Sequence, residues 1–195
     1  MRTNRLLFLG FTLLTACLAE AESGPNIDLA PSQKARVNFL SGNRYVTLLA
    51  QGLNLEREML CQELGQYRCV EDAHGITLMG VGPYRLGVHT PVDELGITAP
   101  IAVERIALNA CLLAVRRDIE SSPAARSFTG PPAAVVSTLY RRLLRREPGN
   151  DETEALVAML DEVNDTGNFD GADARQTWTI AACLAVATSM EALFY

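Results

Sequence analysis

Residues 98–119 read TAPIAVERIALNACLLAVRRDI, and the other predicted elements are best placed relative to this helix-forming stretch. Thr98 is a good N-cap, and Pro100 falls in the first turn. Backbone N–H groups of the first turn have no partner within the helix, so a proline there costs no hydrogen bond. Apolar residues occur on nearly every side of the resulting helix, and a helix of that kind is normally buried. We therefore expect it to be the central core helix. Its apolar positions are Val103, Ile106, Leu108, Ala110, Leu112, Leu113 and Val115.

Three more helices are predicted downstream of this stretch. Pro131 opens the first, and the sequence Glu147-Pro148-Gly149 stops it. Asn150 can cap the next, so the two form a tight helical hairpin. The last helix covers about residues 172–193, and its residues 177–190 carry no charge. That uncharged run is too short to span a membrane, which predicts a buried core helix with Trp178 in the core.

An amphipathic helix is predicted upstream, over about residues 43–67. Its apolar residues recur at intervals of 3, 4, 7, 4 and 3, which places them on one helical face. They are Val46, Leu49, Leu53, Leu60, Leu64 and Tyr67. The opposite face carries Glu56, Arg57 and Glu58, so this helix is expected at the surface.

Residues 69–98, the glycine-rich segment, interrupt the helical pattern. Residues 76–81 and 84–88 flank Gly82-Pro83, which is typical of a short, irregular β-hairpin. The sequence therefore predicts an all-α fold with one domain over residues 35–195. We expect a compact bundle of about five helices, with one glycine-rich loop or short β-hairpin as an insertion.

The first 21 residues carry an export signal. Arg2 and Arg5 form a basic region, and the apolar run that follows, residues 6–16, is too short to cross a bilayer. Leu14-Thr15-Ala16-Cys17 ends this run and resembles the lipobox of bacterial lipoproteins. In those proteins the cysteine is acylated and becomes the first mature residue.

The lipobox resemblance implies a signal peptide over residues 1–16, a lipid on Cys17 and a lipidated tether over residues 17–34. The protein would be exported and anchored to the cell envelope, on the periplasmic side of the outer membrane. A second cleavage site stays open. Ala19-Glu20-Ala21 suits ordinary signal peptidase, which would release a soluble periplasmic or secreted protein that starts at Glu22.

The remaining cysteines predict disulfide bonds. Apart from Cys17, the chain has four cysteines, which are Cys61, Cys69, Cys111 and Cys183. An even number of cysteines in an exported protein favours disulfide bonds, and four cysteines allow three pairings. We favour Cys61 with Cys69, which would close a small loop, and Cys111 with Cys183, because both lie in apolar helical runs that should pack together. The spacing lacks the CxxC pairs of zinc ribbons and the CxxCH of covalent haem sites.

The charge balance argues against nucleic acid as a partner. The chain has 17 Lys and Arg residues against 23 Asp and Glu, a formal net charge of −6. Binding to nucleic acid phosphates requires clustered basic residues. An acidic chain also lacks a polybasic surface, so membrane attachment would depend on the acyl chains of Cys17.

The C-terminal part of the chain resembles a known type of module. Residues 139–148 read LYRRLLRREP, and residues 189–195 read SMEALFY. Over about sixty residues this is similar to the helical end of secreted domains of unknown function in planctomycetes and myxobacteria, which are often fused to c-type cytochromes. Arg145 stands where those domains usually have glycine, and Ala192 replaces their phenylalanine. The resemblance implies an exported helical module that works beside larger partners.

Two candidate sites stand out from the sequence. Arg141, Arg142, Arg145 and Arg146 form an arginine stripe, which is a candidate surface for lipid phosphates or an acidic partner. Its alternative is a solvated face neutralised by Glu154, Asp161 and Glu162 on the adjoining helix.

The second candidate site is the pair of histidines in the glycine-rich segment. His74 and His89 lie near Glu71, Asp72, Asp93 and Glu94, which are metal-ligand types, although their spacing matches no standard motif. The alternative is that both imidazoles simply bond to irregular backbone.

No cofactor is expected, and no catalytic residue is indicated, because the hydrolase, metalloprotease, Walker and dinucleotide motifs do not occur in the sequence. We therefore expect a non-catalytic envelope lipoprotein that acts as an interaction or assembly module with a protein partner in the cell envelope. Its candidate contact surfaces are the glycine-rich segment and the arginine stripe. The alternative is a metal-binding protein or metal-dependent enzyme built on His74 and His89.

Overall fold

The predicted core helix forms and is the longest helix in the described chain. A computed structural model describes residues 38–84, 87–90, 96–165 and 171–194, and within them the fold is all-α, as expected. The helices are α1 (Gly42–Leu53), α2 (Ala99–Glu120), α3 (Pro132–Leu143), α4 (Asn150–Asp165), α5 (Gly171–Ala187) and the short α6 (Met190–Leu193). Two-residue strands β1 (Gln62–Glu63) and β2 (Tyr67–Arg68) pair antiparallel.

The core lies where α1, α2, α3 and α5 meet. Ile106 and Ala110 of α2 are fully buried, as is Trp178 of α5, which confirms Trp178 as a core residue. The indole N–H of Trp178 donates to the carbonyl oxygen of Leu156 at 2.7 Å, which satisfies its one polar atom and ties α5 to α4. The buried Tyr45 hydroxyl donates to the carbonyl oxygen of Ala187 at 3.0 Å, which ties α1 to the end of α5.

Both predicted disulfides are present. Cys111 and Cys183 join α2 to α5 with Cα atoms 5.8 Å apart, and both side chains are fully buried. Cys61 and Cys69 join with Cα atoms 5.5 Å apart and close residues 61–69, which we call the stapled turn.

The helix predicted over residues 43–67 was too long. α1 ends at Leu53, and Asn54 adopts the left-handed conformation with φ 54°. The N–H of Leu55 then donates back to the carbonyl oxygen of Ala50 at 2.8 Å, a common helix C-terminal motif. The stapled turn follows as the β1–β2 pair, with positive φ at Leu64 and Gly65. Leu64 and Tyr67 are therefore exposed rather than on a buried helical face.

The helical hairpin of α3 and α4 is present, but its cap lies one residue earlier than predicted. Pro131 precedes α3, and Asn150 is already the first residue of α4. The N–H of Gly149, the residue before α4, donates to Glu152 Oε2 at 2.7 Å. The Glu152 side chain thus accepts the hydrogen bond of the capping residue, as in a capping box. The last predicted helix is also split: α5 ends at Ala187, and Ser189 caps α6 by accepting from the N–H of Ala192.

The glycine-rich segment packs against the start of α1. Leu78 is buried, and its carbonyl oxygen accepts from the N–H of Gly42 at 2.9 Å. Of the hairpin predicted around Gly82-Pro83, the described residues form one bridge, in which the N–H of Gly82 donates to the carbonyl oxygen of Val88 at 3.1 Å. A five-residue π-helical turn, Cys69–Ala73, occupies the beginning of the segment instead.

The predicted signal peptide, Cys17 and the tether over residues 17–34 lie outside the described residues. Among the helices that the structure describes, none combines the length and the apolar character that a membrane crossing requires.

Candidate functional site

Exposed apolar side chains are concentrated in the stapled turn and the glycine-rich segment. Leu64 at the tip of the stapled turn is 86% exposed, and Tyr67 beside it is about half exposed. Tyr84 is fully exposed and Ile97 is 94% exposed. Leu64 and Tyr67 lie on a loop closed by a disulfide, and exposed apolar side chains on surface loops are candidates for contact with a partner.

The stapled turn is held rigidly beside α2. The backbone N–H of Cys61 donates to Asn109 Oδ1 at 3.1 Å, and the N–H of Cys69 donates to the carbonyl oxygen of Cys61 at 3.0 Å. Arg68 pairs with Asp72 at 3.3 Å, which links the turn to the π-helical turn that follows. The exposed Leu64 is therefore presented by a turn with fixed ends.

The outer face of α2 also carries exposed apolar side chains. Four aliphatic residues at spacings of 7, 4 and 7 fall on one side of the helix, opposite the buried Ala110, and are 41–58% exposed. They are Ile101, Leu108, Leu112 and Ile119. The sequence pattern predicted a helix covered on all sides, whereas the structure buries only part of its circumference.

Arg146, the last residue of the arginine stripe, has a structural role. Its guanidinium bonds both oxygens of Glu152, at 2.6 and 2.7 Å, and both oxygens of Glu191, at 2.7–2.9 Å. It also lies over the ring of Tyr140, 5.0 Å from the centroid. Hydrogen bonds from Arg146 and Gly149 lower the pKa of Glu152 to about 2. This cluster ties the α3–α4 turn to α6.

The other three arginines differ in their surroundings. Arg142 donates to the hydroxyl of Ser127 at 2.9 Å, and Arg141 makes an exposed ion pair with Glu147 at 3.4 Å. Arg145 has φ 61° and forms no hydrogen bond or ion pair within the described chain. Within the described chain the arginines thus differ in their contacts, and their acidic partners are Glu147, Glu152 and Glu191 rather than the expected Glu154, Asp161 and Glu162. Their role as a partner surface stays a prediction.

The two histidines lie in different surroundings. His74 is half-buried at the end of the π-helical turn, where its backbone N–H donates to the carbonyl oxygen of Cys69, and His89 is exposed. Asp93 and Glu94, two of the expected neighbours, lie outside the described residues. In the part of the chain that is described, no three His, Cys, Asp or Glu side chains come together as metal ligands.

The glycine-rich segment is recognisable from its composition, whereas the exposed residues of the stapled turn are not. The helical spacing of Leu60, Leu64 and Tyr67 concealed a turn. The signal that could have revealed it was Gly65 between two cysteines eight positions apart, because a short disulfide loop is incompatible with a straight helix.

The chain was also compared with known proteins. No model of a protein family matches it, and neither a curated protein nor a solved structure does so. The C-terminal resemblance to secreted helical modules therefore stays a prediction.

Proposed function

We propose that this protein is a non-catalytic lipoprotein of the bacterial cell envelope that acts as an interaction module for another envelope protein. The observation that carries the proposal is the set of exposed apolar side chains among the described residues between 59 and 97. Of the large apolar side chains that are exposed in the described chain, the most exposed are Tyr84, Ile97 and Leu64, and all belong to this region.

This surface has the properties of a preorganised contact. The Cys61–Cys69 bond and the Cys61–Asn109 hydrogen bond hold its stapled turn in place, so that little conformational entropy is lost when a partner binds. Tyrosine and leucine contribute large apolar areas to binding, and Tyr84 also offers a hydroxyl for a hydrogen bond. The outer face of α2 exposes four further aliphatic side chains.

The envelope location is supported by the sequence. The lipobox at residues 14–17 supplies an anchor, and the two disulfides are typical of an exported protein. The net charge of −6 favours a protein partner over a nucleic acid.

Crosslinking in intact cells followed by affinity purification tests the proposal. The native protein is expected to capture a defined partner, and the double variant Leu64→Glu/Tyr84→Glu is expected to lose it, because two carboxylates would have to be buried in an apolar contact. Met190→Glu is the matched control, since Met190 is a 69% exposed apolar residue on α6. It should leave capture unchanged.

Two results would refute the proposal. One is recovery of the protein alone at native expression levels, and the other is equal capture by the double variant. Circular dichroism of each variant would show that the helical fold is intact.

A further inference from the structure

A basic groove lies between the outer side of α1 and the end of α3. It has a volume of about 460 Å³ and is lined by three arginines and three leucines, with no acidic side chain among the lining residues described. The six are Arg44, Arg57, Arg145, Leu40, Leu48 and Leu143. In a chain of net charge −6, such a grouping of guanidinium groups above an apolar floor is a distinct local feature.

Arg57 is fixed at this groove before any ligand arrives. It donates to Asn43 Oδ1 at 2.7 Å and to Thr47 Oγ1 at 3.0 Å, both on α1, and it forms an ion pair with Glu71 Oε1 at 3.3 Å, which offsets part of its charge. A guanidinium held in this way can bind an anionic oxygen with little loss of side-chain entropy.

Arg145 occupies the groove at a conformational cost. Its φ of 61° lies in the left-handed region, which glycine adopts freely and other residues adopt with strain. Its side chain has no polar partner in the described chain, so hydrogen bonds within the fold do not offset that strain. Arg145 follows the cap of α3, where helices commonly end on a left-handed residue that is usually glycine. Helix termination therefore accounts for the backbone conformation but not for the presence of an arginine side chain at the groove.

From this arrangement we propose that the groove binds the headgroup of an anionic phospholipid. The arginines would contact the phosphate oxygens, and Leu40, Leu48 and Leu143 would contact the first methylene groups of the lipid. The inference rests on the proposed membrane anchoring through Cys17.

The path of the chain favours a lipid over other anionic ligands. Leu40 lines the groove, and its N–H donates to the carbonyl oxygen of Leu193 at 2.6 Å, which fixes the start of the described chain at the groove. Leu40 lies 23 residues after Cys17, and a chain of that length can extend to at most roughly 80 Å. A lipid on Cys17 would therefore keep the groove within reach of the bilayer surface.

Vesicle flotation tests the proposal without depending on acylation. The protein used starts at Leu18, because residues 1–17 are replaced by a cleavable export signal. It is mixed with phosphatidylcholine vesicles or with vesicles that also contain phosphatidylglycerol. We expect binding to the anionic vesicles alone, and we expect added salt to weaken it.

Arg145→Gly separates binding from folding. Removing the left-handed strain should raise the midpoint of thermal unfolding, whereas binding should fall about fivefold, which corresponds to about 1 kcal/mol per basic residue at an anionic surface. Arg145→Lys should retain most of the binding because it keeps the charge. Arg116→Ala removes an exposed arginine of α2 and is the matched control.

Equal flotation with both vesicle types, or no flotation, would overturn the proposal. It would also be overturned if an acidic peptide bound the groove arginines while vesicles did not, or if Arg145→Gly left flotation unchanged. Because the protein partner is tested through Leu64 and Tyr84, failure of one proposal is distinguishable from failure of the other.

Discussion

Gly52 lies at the point where α1 contacts the end of α3. A Cβ atom at this position would lie 2.8 Å from Leu143 Cδ2 and 2.9 Å from the carbonyl oxygen of Arg142. The second contact is with backbone, which cannot move aside as a flexible side chain can. Close approach of these two helices therefore requires glycine, a requirement that the sequence pattern of α1 does not reveal.

We predict that Gly52→Ala destabilises the protein by about 1–3 kcal/mol, although the same change in an open helix would stabilise it. Chemical denaturation measures the difference. Gly171→Ala is the matched control, because nothing lies within 4 Å of a Cβ atom at Gly171. If the two variants have the same free energy of unfolding, the helix contact is not as tight as described.

Glu152 makes stability depend on pH. Its pKa is lowered to about 2 by the Arg146 and Gly149 hydrogen bonds, so the folded protein favours its carboxylate form. Since the folded pKa lies below the unfolded one, the contribution is complete above the unfolded pKa and is lost as the pH falls towards about 2.

The expected result is that native protein is more stable than Glu152→Gln at about pH 6 and that the difference shrinks steadily towards about pH 2. Urea denaturation across this range measures it. Glu154→Gln, at an exposed carboxylate on the same helix, is the control. A difference between native protein and Glu152→Gln that stays constant with pH would contradict the assigned role of Arg146.

At the scale of elements, the two disulfides stabilise the fold unequally. The Cys111–Cys183 bond spans 72 positions and joins two core helices, whereas the Cys61–Cys69 bond spans 8. A disulfide stabilises a fold mainly because it lowers the conformational entropy of the unfolded chain, and this effect grows with the number of residues in the closed loop.

Replacing both Cys111 and Cys183 with alanine should therefore cost about 4 kcal/mol, and replacing both Cys61 and Cys69 about 2.5 kcal/mol. The free energies of unfolding of the two double variants measure this. An equal or larger loss from the short bridge would show that it supports more than the stapled turn.

The sequence predicted the long elements well and the short ones poorly. α2 begins within one residue of the predicted start, with Pro100 in its first turn, a local signal that does not depend on the rest of the fold. Thr98 precedes the helix as expected, but its side chain makes no capping hydrogen bond. α1 ends at Leu53 rather than near Tyr67, since apolar spacing alone cannot distinguish a continuing helix from a turn closed by Cys61 and Cys69. The break between α5 and α6 at Ser189 was missed for a similar reason.

For the whole molecule, the central prediction is lipidation of Cys17. Mass spectrometry of the membrane-bound protein should find an N-terminal Cys17 that carries acyl chains, and Cys17→Ala should lose both that mass and the membrane attachment. A soluble chain that starts at Glu22 would instead show cleavage after Ala21. Unchanged membrane attachment of Cys17→Ala would refute the lipid anchor.

The candidate site was only partly predictable from the sequence. The glycine-rich segment was identified because glycine and proline mark irregular chain wherever they occur. The arginine stripe was identified as a set, but its members have separate roles, because Glu191 and Ser127 approach it from distant parts of the chain. The sequence order does not show which of four arginines will be neutralised.

The all-α class follows from the sequence by itself, since helix periodicity acts locally. The even number of cysteines predicts two disulfides through composition, and the expected packing of the helices that carry Cys111 and Cys183 favoured the pairing that the structure shows. Tertiary structure alone decided that Leu64 is exposed, that α2 leaves one face uncovered and that Arg145 joins Arg44 and Arg57 at one groove. Those features depend on which surfaces meet when the helices pack, and packing brings together residues that are far apart in the chain.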